Sequence, residues 1–529
     1  MKPTCLKALI LVTPWIFTEC SNSPKKADAG KLPNILIAMG DDISFPHMGA
    51  YGTKWVKTPA FDRVAANGIL FNNAYTPNAK SSPSRACFLT GRNSWQLEEA
   101  GNHVPFFPPK FTTFMESLEK HGYYTGHTAK GWAPGVALDD SGNPRLLTGR
   151  AFNSKKTEPP TKNMSNNDYG ANFEDFLNSR EEGKPFCFWY GSTEPHRKYE
   201  YGSGINKGGK KLGDIDRVYS FWPPTDTVKT DMLDYAYEIE YFDSHLEKML
   251  RILEEKGELD NTIVIVTADN GMPFPRIKGQ AYDFSNHLPM AIMWPEKIKN
   301  PGRQVNDFIS LIDITPTILE AAGIDSAASG MKPITGKSLM DIFLSGKKGF
   351  TDPTRNRVIF GKERNDVGRP NDVGYPIRGI IMDGFIYLTN YDPERWPAGN
   401  PETGYLDCDG SPVKTTILNM ERRGESNDFW RWNFGTRPSE ELYLLSKDPD
   451  CLRNLVNDAG YNPARRRLHE VLYLDLLEQD DPRMFNNGSV FDRYVYADEK
   501  VRNFYERFMS GELHRNDANW VDSTDFEKR

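Results

Sequence analysis

Three segments are apolar at nearly every position and end in polar clusters: NILIAMGDD at residues 34–42, FCFWYGSTEPH at 186–196 and TIVIVTADNG at 262–271. Short apolar runs without alternation predict strands covered on both faces. Between them the period changes. In DMLDYAYEIEYFDSHLEKMLRILEEKG, residues 231–257, Phe242, Leu246, Met249 and Leu253 share one stripe at helical spacing, and Gly257 supplies a stop. Strands alternating with helices predict an α/β fold on a large, mainly parallel sheet sandwiched by helices. Ligands bind such sheets beyond the carboxyl ends of the strands, where the polar clusters fall.

The pattern shifts near residue 350. Apolar stretches at 380–382 and 385–388 flank Asp383-Gly384, a hairpin signal. The expected organisation is a large domain over 21–349 and a smaller C-terminal α+β subdomain over 350–529, with an antiparallel sheet and terminal helices. PARRRLHEVLYLDLLEQ at 463–479 predicts one of those helices. Asn-Asp-Val-Gly occurs at 365–368 and again at 371–374, too few copies for a repeat architecture. At the N-terminus, Lys2 and Lys7 precede an apolar run over residues 8–17 that is too short to span a bilayer. Residues 1–20 therefore predict an export signal and a periplasmic location. Cys20 stands where bacterial lipoproteins are cleaved and acylated, in an imperfect lipobox, so a lipid anchor and a soluble exported form are both open.

Composition narrows the classes. The 529 residues, 38% hydrophobic and 26% charged, are those of a globular protein larger than one core usually supports. A net charge of -7 argues against a general nucleic-acid or anionic-membrane binder, so an anionic ligand needs a local cluster of cations. Beyond Cys5 and Cys20, four cysteines remain, with no CxxC and so no zinc or redox motif. Cys408 and Cys451 are far enough from other signals that a disulfide between them is open. Cys87 and Cys187 read as small buried hydrophobes.

Candidate chemistry centres on NAKSSPSRACFLTGR, residues 78–92. Ser82-Pro83 predicts a helix start, with Ser82 as cap and Pro83 in the first turn, and Gly91 the stop. Ser81 then lies where free N–H groups favour an anion, and Arg85 reaches back toward it. No histidine adjoins to activate a hydroxyl. Asp41-Asp42 end one predicted strand and Asp269-Asn270 another. Four oxygen side chains converging on one point suit a hard cation such as Ca²⁺. Alone, each feature is an ordinary helix cap or strand end; together they mark a site.

Ser81-Ser82-Pro83-Ser84-Arg85 with Thr90-Gly91-Arg92 resembles the signature of the type I sulfatases of the alkaline-phosphatase superfamily. The resemblance extends through PNILIAMGDD, GYYTGHTAKG, EPHRKY, TADNG, HLPMAIMWP and ELYLLSKDPDCLRNL. It implies that Ser81 is oxidised to formylglycine by a radical maturase, as in Ser-type bacterial members, and that the aldehyde hydrate attacks sulfur. It also implies Asp41, Asp42, Asp269, Asn270 and the Ser81-derived diol as Ca²⁺ ligands. Arg85 would orient the diol, Lys130 and Lys278 would hold the sulfate, and His196 would be the general acid. One departure stands out: Trp132 occupies the position of a second family histidine, leaving that role to His127, His103 or no residue. Trp132 either stacks on a sugar ring or packs. Within the family the segments are most similar to those of the heparan N-sulfatases, which implies a sulfated amino sugar in a glycan, N- or O-sulfated. Glu98, Glu99, His103, Glu363, Arg364 and Asp366 are candidates to bind sugar hydroxyls, or else solvated loop charges. Two other functions are open: a phosphatase or phosphodiesterase of the superfamily, which needs two zinc ions and several histidines, and a non-catalytic glycan-binding relative whose Ser81 stays unmodified.

Overall fold

The computed structural model describes residues 31–527. The export signal and Cys20 lie outside them. Among the described residues no helix is long and apolar enough to cross a membrane.

The three apolar runs form β1 (Asn34–Gly40), β4 (Phe186–Gly191) and β5 (Thr262–Ala268), adjacent in a nine-stranded sheet. β2 (Ile69–Tyr75), β3 (Tyr124–Ala129) and β6 (His287–Met293) extend it in the order β2-β6-β5-β1-β4-β3, with short strands at both edges. β1 pairs in parallel with β4 and β5, and β4 with β3; β6 runs against both β5 and β2. The sheet is thus mainly parallel, as the uninterrupted apolar runs require. Ile35, Leu36 and Ile37 show no exposed surface, and burying side chains of this size is worth about 1.5–3 kcal/mol each.

The periodic segment is α2 (Asp226–Glu255), a 30-residue helix that starts five residues before the predicted stretch. Thr225 caps it by accepting from the Val228 N–H. Phe242, Leu246, Met249 and Leu253 are all buried, and Gly257 takes the left-handed φ of 65° that lets the chain leave the helix. The second sheet is antiparallel and four-stranded: β7 (Arg357–Lys362), β8 (Ile377–Met382), β9 (Phe385–Asn390) and β10 (Glu440–Leu444). Asp383-Gly384 turns the β8–β9 hairpin, both residues at positive φ. α3 (Asn462–Glu478) lays Leu468, Leu472 and Leu476 on that sheet against Ile380, Tyr387 and Leu442.

The signature helix α1 runs Ser81–Thr90 and ends at Gly91, whose φ is 67°. It starts two residues earlier than expected, with Lys80 in the capping position and no side-chain cap. Ser82 is committed elsewhere, its Oγ accepting from the Val104 N–H at 3.2 Å. Pro83 still falls in the first turn, where its missing N–H costs no helical bond. The Cys408–Cys451 disulfide is not formed: both thiols are free and buried. Cys408 packs in the main core and Cys451 under the second sheet, so the two sulfurs belong to separate clusters.

Candidate active site

The parallel strands deliver their polar ends to one place. β1 ends at Asp41-Asp42, β5 at Asp269-Asn270, β3 at Lys130, and β4 leads into His196. The connection after β2 brings in Ser81 at the head of α1. The Ser81 Oγ lies 3.3 Å from Asp41 Oδ1 and 3.0 Å from Lys130 Nζ. Lys130 Nζ spans both Asp41 oxygens at 2.7 Å. Arg85 is fully buried. Its Nε donates to Asp269 Oδ2 at 2.9 Å, one terminal nitrogen to Asp41 Oδ1 at 3.3 Å, and the other to the Lys130 and Gly131 carbonyls at 2.9 and 3.0 Å. Lys278 Nζ joins Asp42 Oδ2 at 2.7 Å to Asp409 Oδ2 at 2.8 Å. Asp42 sits at φ 77°, strain of the kind that collects at functional sites.

Four carboxylates, Asp41, Asp42, Asp269 and Asp409, thus face three fixed cations in a buried setting. Burial pushes the Asp41 carboxyl up, but Lys130 and Arg85 outweigh burial and Asp42 and hold it well below the usual range. Burial would lower Lys278; Asp409, Asp42 and Asp41 more than reverse that and keep its ammonium charged.

A cation fits here. Asp41, Asp42 and Asp269 offer oxygens all within 4.8 Å of one another. Asn270 donates through Nδ2 to Asp42 at 2.7 Å, while its Oδ1 is buried without a partner. An orphaned amide oxygen beside three carboxylate oxygens is an all-oxygen donor set, the chemistry of a hard ion rather than of zinc. A second acidic group, Asp42, His196 and Asp409, adjoins it. Its place between Asp42 and Asp409 is taken by the Lys278 ammonium.

The other candidates divide. His196 is partly exposed, with Nε2 4.0 Å from Asp42 Oδ2. His103 and Lys80 converge on Asp366 at 2.9 and 2.7 Å, within electrostatic reach of Lys278. Trp132 packs: its Nε1 donates to the Ser82 carbonyl at 3.1 Å and its ring meets Phe107 edge-on. His127 is turned to the Gly149 carbonyl. Glu363 is buried between Arg378 and Arg483, and Arg364 donates to the Tyr494 carbonyl, so neither faces the cluster. Glu98 pairs with Lys110 and, with Arg92, lines a separate groove of about 1130 Å³ between the two sheets, while Glu99 lies beside Tyr494. That groove is larger than the cavity of about 270 Å³ beside Asp41, Lys130 and His196, but it holds none of the converging groups. His287, the histidine nearest a strand end in sequence, stacks between Phe45 and Tyr75 and bonds to the Asn72 carbonyl.

Lys80 and Asp409 were not legible as site residues. Lys80 reads as an ordinary residue before a helix. Asp409 lies 131 residues from the lysine it holds, beyond the reach of any local pattern.

Gly191 closes β4 against the Lys130 carbonyl; a Cβ there would sit 1.7 Å from that oxygen. Gly191→Ala is therefore expected to lower stability by about 3 kcal/mol, the upper range for overpacking, and to reduce turnover by displacing Lys130. Thermal unfolding and steady-state rates check both; an unchanged midpoint contradicts the tight approach.

A parallel-rich sheet with a serine, acidic residues and fixed cations gathered at its carboxyl edge is the architecture of the alkaline-phosphatase-like α/β fold. The sequence matches the sulfatase family over residues 33–324, more than half its length, and the chain belongs to that family. It is 26% identical over 471 residues to an ulvan-active sulfatase of Formosa agariphila, covering 88% of this chain and 84% of that one. It is 26% identical over 487 residues to human N-sulphoglucosamine sulphohydrolase, covering 85% and 91%. A solved structure in complex with its substrate D-glucosamine-2-N,6-O-disulfate superposes with a TM-score of 0.61 at 20% identity, over 85% of this chain and 99% of that one. The protein is accordingly a sulfuric ester or sulfamate hydrolase.

Proposed function

We propose that the protein is exported and removes an N- or O-linked sulfate from an amino sugar of a sulfated glycan, using a formylglycine derived from Ser81 and a bound Ca²⁺. The observation that carries the chemistry is Ser81 itself: its hydroxyl meets Asp41 and Lys130 at the head of α1, and among the described residues no histidine bonds to it. A serine without a general base is a poor nucleophile. An aldehyde hydrate at this position would supply two hydroxyls on one carbon, one to take the sulfuryl group and one whose deprotonation expels it. A hard cation held by Asp41, Asp42, Asp269 and Asn270 would supply positive charge that acidifies an adjacent hydroxyl.

The chain's own groups do the rest. Lys130 and Lys278 offset the charge of the sulfate oxygens, and the head of α1 presents free N–H groups to them. Arg85 fixes Asp41 and Asp269. His196 Nδ1 meets the Arg197 carbonyl at 2.8 Å; a carbonyl only accepts, so Nδ1 carries the proton and Nε2 faces the site. The imidazolium form protonates the leaving oxygen or nitrogen. The Lys278 ammonium between Asp42 and Asp409 disfavours a two-zinc phosphatase, because it fills the position a second ion would need.

The amino-sugar reading is supported by the human relative's name and by the glucosamine disulfate in the solved relative. The export signal implies that a radical maturase acts on Ser81 before the chain leaves the cytoplasm, and that the substrate is met in the periplasm. The test is a desulfation screen of matured enzyme with Ca²⁺ on N-, 3-O- and 6-O-sulfated glucosamines, with phosphate monoesters alongside. Sulfate release from at least one sugar is expected. Faster phosphate release with two zinc ions bound overturns the reading.

A further inference from the structure

Glu238, on α2, is an unexplained acid. It is 1% exposed, its Oε1 is buried without a hydrogen bond, and it has no ion-pair partner among the described residues. It lines the cavity of about 270 Å³ that also holds Asp41, Lys130 and His196. The other charged groups of that cavity are committed. Glu194 accepts from the Ser165 N–H at 2.7 Å, the Ser192 hydroxyl at 2.6 Å and the Tyr169 hydroxyl at 2.8 Å. Arg197 forks onto Asp231 with two bonds of 2.8 Å. An unpaired buried carboxyl costs stability that Met at the same helical position would spare. No cation stands against it among the described residues, and burial, then Glu194 and Asp234, raises its pKa well above the ordinary value.

The cavity is smaller than the roughly 300–1,000 Å³ of sites for drug-sized ligands, which suits a single sugar ring. It offers cationic Lys130 beside Ser81 for an anion, and an unsatisfied acid for a hydrogen-donating cation. We propose that Glu238 binds the free ammonium of an O-sulfated amino sugar whose sulfate is held at Ser81 and Lys130. The inference rests on the amino-sugar reading above and narrows it to substrates with an unsubstituted amine.

The full-length matured enzyme and Glu238→Gln are compared on glucosamine 6-O-sulfate and N-acetylglucosamine 6-O-sulfate. The native enzyme is expected to favour the free amine in kcat/KM by about 10-fold or more, the scale set by leaving a buried polar group unpaired. In Glu238→Gln that ratio falls to near unity. The unfolding midpoint of the variant stays close to that of the native enzyme, since no bond is lost. A preserved ratio, or a lowered midpoint with both substrates slowed equally, overturns the proposal and makes Glu238 structural. Calorimetry with unsulfated glucosamine separates this from a failure of the parent reading. If neither sulfated sugar turns over, and the N- and 3-O-sulfated glucosamines of the wider screen are not hydrolysed either, the parent reading fails. Glucosamine binding that weakens about 10-fold in Glu238→Gln still upholds the pocket, and absent or unchanged binding overturns it.

Discussion

Ser81→Ala is expected to abolish turnover, by about 10⁴-fold or more, while leaving the fold intact. The side chain is 2% exposed and contributes two contacts, 3.3 Å to Asp41 and 3.0 Å to Lys130. Neither carboxylate nor ammonium depends on it, because Lys130 holds both Asp41 oxygens directly. Loss of one exchangeable hydroxyl at a helix head costs little stability. The loss of rate is of another order, since removing a covalent nucleophile leaves only binding and charge stabilisation. The intact mass of the peptide around residue 81 completes the measurement: the active protein should be lighter than the serine form by the mass of H₂ as the aldehyde, or heavier than it by one oxygen atom as the hydrate. A Ser81→Ala protein with native rate would overturn the assigned nucleophile. Unmodified serine in a fully active sample would overturn the formylglycine.

The large sheet was readable because its central strands are buried on both faces. Ile35 through Met39 and Ile263 through Val266 have no polar alternation to obscure them. The gathering of Asp41, Asp42, Asp269, Asn270 and Ser81 at one place was readable because each ends or follows an element visible in sequence. What failed to show depends on chain segments far apart. Asp409 meets Lys278, and Lys80 meets Asp366, only after the second sheet docks on the first. Glu363 and Arg364 read as loop charges near a site, but Arg378, Arg483 and Tyr494 claim them. Charge in a loop says that a partner is needed, not which one. The start of α1 slipped by two residues for a similar reason: Ser82 prefers a tertiary partner, Val104, over the local cap. That slip matters, because it places Ser81 in the first turn, with its hydroxyl on the cluster.

Arg85→Met should have the largest effect on stability, and the effect should depend on the cation. The guanidinium makes four hydrogen bonds with no exposed surface, two to carboxylates of different strands and two to carbonyls after β3. It is the element that ties β1, β5 and β3 together at their carboxyl ends. Burial alone would weaken its charge, but Asp269 and Asp41 reverse that and raise its pKa. Methionine keeps much of the volume and leaves Asp41 and Asp269 facing each other and Asp42 with one cation fewer. Breaking a buried pair in this way costs about 3–5 kcal/mol. In urea unfolding with chelator present, the midpoint should fall accordingly. Added Ca²⁺ should then restore part of the loss, because an ion bound only by the folded state stabilises it by mass action and supplies the charge that the arginine no longer gives. Arg85→Lys should fall between, with charge kept but the fork lost. If chelator and Ca²⁺ give the same midpoint in Arg85→Met, the carboxylates are not gathered around a cation. The arginine would then be holding three strand ends together for the fold alone.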